Sequence, residues 1–392
     1  MIFKAIKTKN CISMKPKIIR TCTVSDSISF ISGLIPELLK EYEVAVLASP
    51  GKGWSLLDYL GSDVERIEVP MERHISPLKD LKSLCRLIRV FRREKPDMVH
   101  SMTPKAGLLC MMAAWICRVP VRVHTFTGLV FPTAKGLTQK LLILTDRITC
   151  ACATHIIPEG QGVKNDLIDY RITRKPMRVL GYGNVKGIDL EYFNPGLPAV
   201  KANAAKIRKP GIFTFIFIGR LVSDKGINEL VEAFSRLHNK YSASRLLLVG
   251  PLESELDPLA PETLEIIDNN PAIQAVGNQE DVRPWLSASD ALVFPSYREG
   301  FPNVVIEAGA MGLPSIVTDI NGSREIIRDG INGKIIPPRD ADAIFREMKN
   351  IINNPVETAT LGTSARPLIE SRYEQSFVRN CLKEFYKEIL GK

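Results

Sequence analysis

The sequence predicts an α/β protein of two doubly wound, Rossmann-like domains facing across a cleft. Three observations carry this. Runs rich in β-branched residues alternate with helical patterns along the whole chain. Those runs are continuously apolar, as in parallel sheets covered on both faces. The 392 residues also exceed what one hydrophobic core usually spans.

The expected strands of the first half are KIIRTCTV (17–24), EVAVLAS (43–49), MVHSM (98–102), VRVHTF (121–126), THIIPE (154–159) and MRVLGYG (177–183). Those of the second are TFIFIG (214–219), RLLLVG (245–250), IQAVG (273–277), ALVFPS (291–296), PSIVTD (314–319) and GKIIP (333–337). The polar, Pro-containing stretch 193–211 reads as a linker. The N-terminal domain is therefore expected at 14–195 and the C-terminal one at 205–372, followed by an amphipathic helix within 373–392.

Composition narrows the function. The net charge of +9 suits phosphorylated substrates or an anionic membrane face as well as simple solubility. No basic run interleaved with aromatics and no zinc-finger spacing points to nucleic acid. Eight cysteines form no CxxC pair and lie mostly in apolar segments, as reduced, buried thiols do. Residues 1–13 lack the apolar run of a secretory signal, and Met14 is an alternative start. The apolar run 106–117 is too short to span a bilayer and reads as a buried helix.

In doubly wound sheets ligands bind beyond the carboxyl ends of the strands. Gly219 ends one strand, and Arg220 and Lys225 follow in a loop before an amphipathic helix. Two cations before a helix N-terminus make a diphosphate site or, alternatively, a solvated surface pair. No GxxxxGK[ST] or GxGxxG motif is present there. Gly277 and Asn278 either edge a planar base or simply connect strand to helix. After ALVFPS comes YREGFPNVVIEAGAMGLP (297–314). Asn303 is the expected N-cap of a short helix. Glu299 precedes that helix, Glu307 lies on its first turns, and the amides of 300–304 lie between. Gly309 costs about 1 kcal/mol inside a helix, so a close neighbour is expected there. In the first half, Thr103 and Pro104 are the expected N-cap and N1 of a helix carrying Lys105 in its first turn. Lys105 faces either the cleft and a lipid diphosphate, or solvent. Asn184 and Asp189 suit structural and ligand-binding roles equally. Asp340 and Asp342 form a DxD whose place at a helix start favours capping over metal binding.

GRLVSDKG and DALVFPSYREGFPNVVIEAGAMGLPSIVTDINGSREII resemble the retaining nucleotide-sugar glycosyltransferases of family four, which have the GT-B fold. Glu299 and Glu307 form the E-x7-E pattern, and HSMTPKAGLL and GNVKGIDLEYF extend the likeness through most of 15–390. The nearest resemblance is to capsule and O-antigen transferases acting on polyprenyl-diphosphate-linked sugars. It implies that Arg220 and Lys225 bind the donor diphosphate and stabilise the departing nucleotide. Glu299 would hold sugar hydroxyls and Glu307 the ribose. Gly219, Asn278, Gly300, Phe301, Pro302, Asn303 and Val304 would line the donor. The donor would be a UDP-sugar, with no metal or other cofactor. The acceptor would be lipid-linked, met at the cytoplasmic face of the membrane. Many members place a cleft histidine where this chain has Thr127, while His124 lies within the strand, so a histidine-assisted mechanism does not carry over. Lys105, Thr127 and His124 remain acceptor-side candidates. Two other readings stand beside transfer: a GT-B nucleotide-sugar epimerase, and a non-catalytic nucleotide-sugar-binding protein. Only five histidines are available for the first, and the intact Arg220, Lys225, Glu299 and Glu307 set opposes the second.

Overall fold

The computed structural model describes residues 15–253, 255 and 257–391. Met14, Cys11 and Lys392 fall outside them. The chain forms two compact units. One is Met1–Thr125 with Ile148–His155; the other is Phe126–Arg147 with Ile156–Lys392.

Twelve strands form two six-stranded sheets. The first contains β1 (Lys17–Thr21), β2 (Glu43–Ala48), β3 (Glu65–Glu68), β4 (Met98–Met102), β5 (Val121–Phe126) and β6 (His155–Pro158). Its spatial order is β3-β2-β1-β4-β5-β6. The second contains β7 (Phe213–Ile218), β8 (Ser244–Val249), β9 (Ile273–Ala275), β10 (Ala291–Phe294), β11 (Ser315–Thr318) and β12 (Gly333–Ile336). Its order is β12-β11-β10-β7-β8-β9, with every neighbouring pair parallel. Both orders are the doubly wound 3-2-1-4-5-6 arrangement. In the second sheet the order reverses between β7 and β10, so the loops leaving these two strands flank the switch point.

Two elements differ from expectation. β3 was not anticipated: ERIE is charged at three of its four positions, and only Ile67 is buried. It pairs with β2 at the sheet edge, where an apolar alternation is not needed. The expected strand 177–183 is irregular, with a single bridge from Met177 to Ile156. Gly181 and Gly183 take φ of +55° and +91°, which ends any extended run. The expected linker also folds in part. Pro198 starts the helix Pro198–Ile207, which buries Val200 and Ala204.

The core around β7–β12 is apolar throughout, with Phe215, Phe217, Leu246, Leu248, Ile316 and Val317 buried. The helix Ile227–His238 packs against Ala341–Asn353 on it. Two helices end the chain, Pro355–Tyr373 and Gln375–Leu390. Glu374 caps the second, its carboxylate accepting from the Ser376 and Phe377 amides. The helix Pro104–Ile116 in the first unit is largely buried, although Trp115 and Ile116 are exposed. No disulfide joins the seven described cysteines, and burial pushes the thiols of Cys22 and Cys110 up to about 12. Among the described residues no helix is long and apolar enough to cross a membrane.

Candidate active site

The loop after β7 folds as a short 3-10 turn, Ser223–Lys225, then Gly226 at φ +72° and the helix Ile227–His238. A Cβ on Gly226 would run into the Pro295 carbonyl, so this loop lies against the one leaving β10. That contact aims Lys225 at Glu299, and the two form an ion pair with side chains 15% and 18% exposed. Ser296 Oγ donates to the same Glu299 oxygen at 2.9 Å. Thr318 Oγ1 in turn donates to the Ser296 carbonyl at 2.5 Å, tying the carboxylate to β11. Arg298 pairs with Asp224 at 3.0 Å, and the Tyr297 amide donates to the Asp224 carbonyl at 2.8 Å. The two loops are thus cross-linked on both sides of Lys225.

Arg220 leaves the same strand but has a different setting. Its guanidinium is half-exposed and pairs with Glu253 at 2.8 Å. Gly219 has φ +152°, and its carbonyl packs where a Cβ on Gly250 would stand. Asn278 is exposed beside Gly277, which has φ +68° and open space around it.

The E-x7-E segment forms the helix Asn303–Ala310. Its N-cap is Pro302, not Asn303. The Asn303 Oδ1 instead accepts from Asn184 Nδ2 at 2.9 Å. Asn184, buried with φ +63°, also accepts from the Lys186 and Gly187 amides, which fixes that loop. Asp189 similarly accepts from the Glu191 and Tyr192 amides. Both residues shape the chain. Phe301 is buried edge-on to Tyr373, ring centroids 5.5 Å apart, so its side chain is core; only its backbone can border a ligand. Pro302 is buried and Val304 half-buried. Gly300 sits so close to Thr127 and Gly128 that a Cβ would strike the Thr127 carbonyl. Glu307 is half-buried, and its carboxylate has no hydrogen-bond partner among the described residues. Burial raises its pKa, and nearby Lys186 opposes the shift. Gly309 has the close neighbour its position implied: a Cβ there would lie 2.7 Å from Ile369 of the helix Pro355–Tyr373.

One carboxyl escaped the sequence reading. Glu159, just past β6, is 4% exposed and belongs to the same compact unit. Burial, reinforced by the charges of Glu299 and Glu325, pushes its pKa up to about 8. Its signal in the sequence was only a carboxylate directly after an apolar strand.

The first unit corrects two expectations. His124 is buried, with Nδ1 2.8 Å from Ser101 Oγ and its ring against Gly107. Burial lowers its pKa to about 3, so it is a neutral core residue and not an acceptor contact. The Lys105 ammonium is neither solvated nor offered to a lipid: Asp80 holds it at 2.6 Å and the His74 carbonyl at 2.8 Å. Asp80 on the preceding helix supplies the counter-charge that the adverse dipole position calls for. Thr103 stands at the N-cap with φ +73° and makes no capping bond; its hydroxyl meets Thr23 Oγ1 at 2.7 Å. Asp340 does cap its helix, accepting from the Ala343 amide, and Asp342 pairs with Arg236 at 2.6 Å. Among the described residues no group of three or more His, Cys, Asp or Glu could hold a metal.

Two parallel doubly wound sheets, with a cation–carboxylate cluster at the switch point of the second, define a GT-B glycosyltransferase. Residues 31–183 match the glycosyl transferase 4-like domain and 212–354 the glycosyl transferases group 1 model. The capsular polysaccharide biosynthesis glycosyltransferase CapM of Staphylococcus aureus is 32% identical, over 95% of this chain and 97% of its own. An Escherichia coli UDP-Gal:α-D-GlcNAc-diphosphoundecaprenol α-1,3-galactosyltransferase is 31% identical, over 77% and 78%. Among solved structures, Anabaena HepE in complex with UDP and glucose has a TM-score of 0.79 at 18% identity, over 95% and 100%. The chain belongs to the group 1 glycosyltransferase family.

Proposed function

We propose that the enzyme moves a hexose or N-acetylhexosamine from a UDP-sugar, with retention, to a polyprenyl-diphosphate-linked saccharide in surface polysaccharide biosynthesis. The observation that carries this is Lys225 held against Glu299 where the β7 and β10 loops meet. As the glycosidic bond breaks, negative charge grows on the leaving diphosphate. Lys225, Arg220 and the amides of the helices Ile227–His238 and Asn303–Ala310 would stabilise that charge where it develops. This assigns the charge to protein groups without a metal. Glu299 accepts from sugar hydroxyls, and Glu307, whose carboxylate has no hydrogen-bond partner among the described residues, accepts from the ribose. Gly300 leaves room for its backbone beside Thr127, so the amides of Gly300, Phe301, Asn303 and Val304 border the donor.

The names of the relatives support the chemistry: a capsular transferase, and a UDP-Gal enzyme acting on a diphosphoundecaprenol-linked sugar. The +9 net charge suits peripheral contact with an anionic cytoplasmic membrane face. Incubation with labelled UDP-sugars and a bacterial membrane lipid extract tests the reading. Label transferred to lipid is expected. A free epimerised nucleotide-sugar, or binding without turnover, would overturn it.

A further inference from the structure

We propose that the second unit carries an anion pocket, separate from the Lys225–Glu299 cluster, that takes a phosphate or diphosphate group. The pocket has a volume of about 510 Å³, within the range of small-molecule sites. It is lined by Lys164, Arg178 and Arg372, by Val179, Gly181 and Tyr182, and by a single carboxylate, Glu325. None of these residues belongs to the donor set.

Three features make the pocket receptive to an anion. The first is charge. Three cations face one carboxylate, and that carboxylate is already engaged: its oxygens accept from the Gln161 amide at 2.6 Å and the Gly162 amide at 2.9 Å. The Lys164 ammonium has no ion pair or hydrogen bond among the described residues. Arg178 pairs with Glu388 at 2.6 Å, but both side chains are more than half exposed, so the pair is weak and exchangeable.

The second is backbone. The amides of Val179, Gly181 and Tyr182 have no hydrogen-bond partner among the described residues. Gly181 takes φ +55°, which turns the segment on itself. Successive free amides in such a turn form an anion-receptive concavity. The position cannot carry a larger residue without displacing its neighbours, since a Cβ would lie 3.0 Å from the Phe377 ring and 3.2 Å from Cys381 Sγ.

The third is pre-organisation. The Arg372 guanidinium stands over the Tyr182 ring at 5.2 Å, a cation–π contact that holds the planar fork in place. Planar, fixed guanidinium suits bidentate recognition of phosphate. An adjoining pocket of about 640 Å³ shares Tyr182 and Arg372 and adds Arg328. A second phosphoryl group has a cation available there.

The phosphate can come from a soluble phosphorylated compound or from a lipid headgroup, and the test separates the two. The full chain carrying Lys225→Ala, which weakens the donor cluster, is titrated with inorganic pyrophosphate by calorimetry and thermal shift. It is also floated with vesicles containing phosphatidylglycerol. Pyrophosphate binding and a raised Tm are expected for the soluble source, and flotation without pyrophosphate binding for the lipid source. Adding Lys164→Ala and Arg372→Ala is expected to weaken whichever interaction is seen by about tenfold or more, the effect of losing a charge-assisted hydrogen bond. Lys164→Ala alone removes no internal contact and must weaken it measurably, which guards against misfolding of the Arg372 variant. Failure of both probes to bind, or binding unchanged by Lys164→Ala, would overturn the proposal. Because Lys164 lies outside the donor cluster, the effect of Lys164→Ala does not depend on the reading of that cluster.

Discussion

Replacing Lys225 with alanine separates the structural and catalytic roles of the pair. At a charge separation of about 4 Å and an effective dielectric of about 20, the attraction within such an ion pair is roughly 4 kcal/mol. Desolvation of two side chains only 15% and 18% exposed offsets much of this. Glu299 keeps the Ser296 hydroxyl at 2.9 Å after the substitution, so it is not left wholly unsatisfied. The expected loss of stability is therefore about 1–3 kcal/mol, between the exposed and fully buried cases. Catalysis should lose more. Removing one fixed donor from a developing oxyanion costs about 2.7–4 kcal/mol, or roughly 10²–10³ in kcat. Steady-state kinetics with the preferred UDP-sugar, beside urea unfolding, reads both quantities. A Lys225→Ala enzyme whose kcat stays within about threefold of wild type would refute the assignment. So would a kcat loss fully recovered when Glu299→Ala is added, because that pattern marks mere relief of an unpaired carboxylate.

Three further outcomes follow from named contacts. Glu307→Ala should raise the KM for donor by about tenfold or more, with kcat less affected, since charged acceptors of hydroxyl groups contribute about 1.5–3 kcal/mol; kinetics at varied UDP-sugar measures this. Gly309→Ala gains helix propensity but drives a methyl into Ile369, so a net destabilisation of roughly 1–2 kcal/mol is expected by urea unfolding. Glu159 is raised to about 8 in the folded protein, so folding takes up a proton at pH values between its unfolded and folded pKa. The sign follows: the penalty is absent below the unfolded value, grows as pH rises, and is complete above about 8. Glu159→Gln should therefore flatten the decline of Tm between about pH 5 and 8 and leave the acid side unchanged. An unaltered profile would contradict the buried acid.

Both sheets were legible because parallel strands buried on two faces leave continuous apolar runs; β8, SRLLLV, is buried at all six positions. β3 was not, because an edge strand needs only one inward residue, and ERIE supplies it with Ile67. The cluster at the switch point was legible as residue types. Its pairing was not: the Lys225–Glu299 contact depends on Gly226 letting one loop press on Pro295, a tertiary fact. Local rules misplaced three residues for the same reason. Thr103 and Asn303 suit a helix start, and Lys105, a cation in a first turn, reads as facing a ligand or solvent. Thr23, Asn184 and Asp80, each distant in sequence, claim their side chains instead. Phe301 shows the converse. A position inside the E-x7-E motif carries a side chain that faces Tyr373 and serves the core.

The helix Gln375–Leu390 has a further consequence for biogenesis. Its Phe377 and Cys381 close over Gly181, and Glu388 reaches Arg178. During synthesis Gly181 emerges about 200 residues before Cys381, a wait of roughly 10–40 s at bacterial to eukaryotic elongation rates. For that interval the segment around Gly181 lacks the contacts of Phe377 and Cys381. The contacts of Phe377 and Cys381 with that segment therefore cannot form until those residues have been made, and chaperone engagement should concentrate on nascent chains that end between those two points.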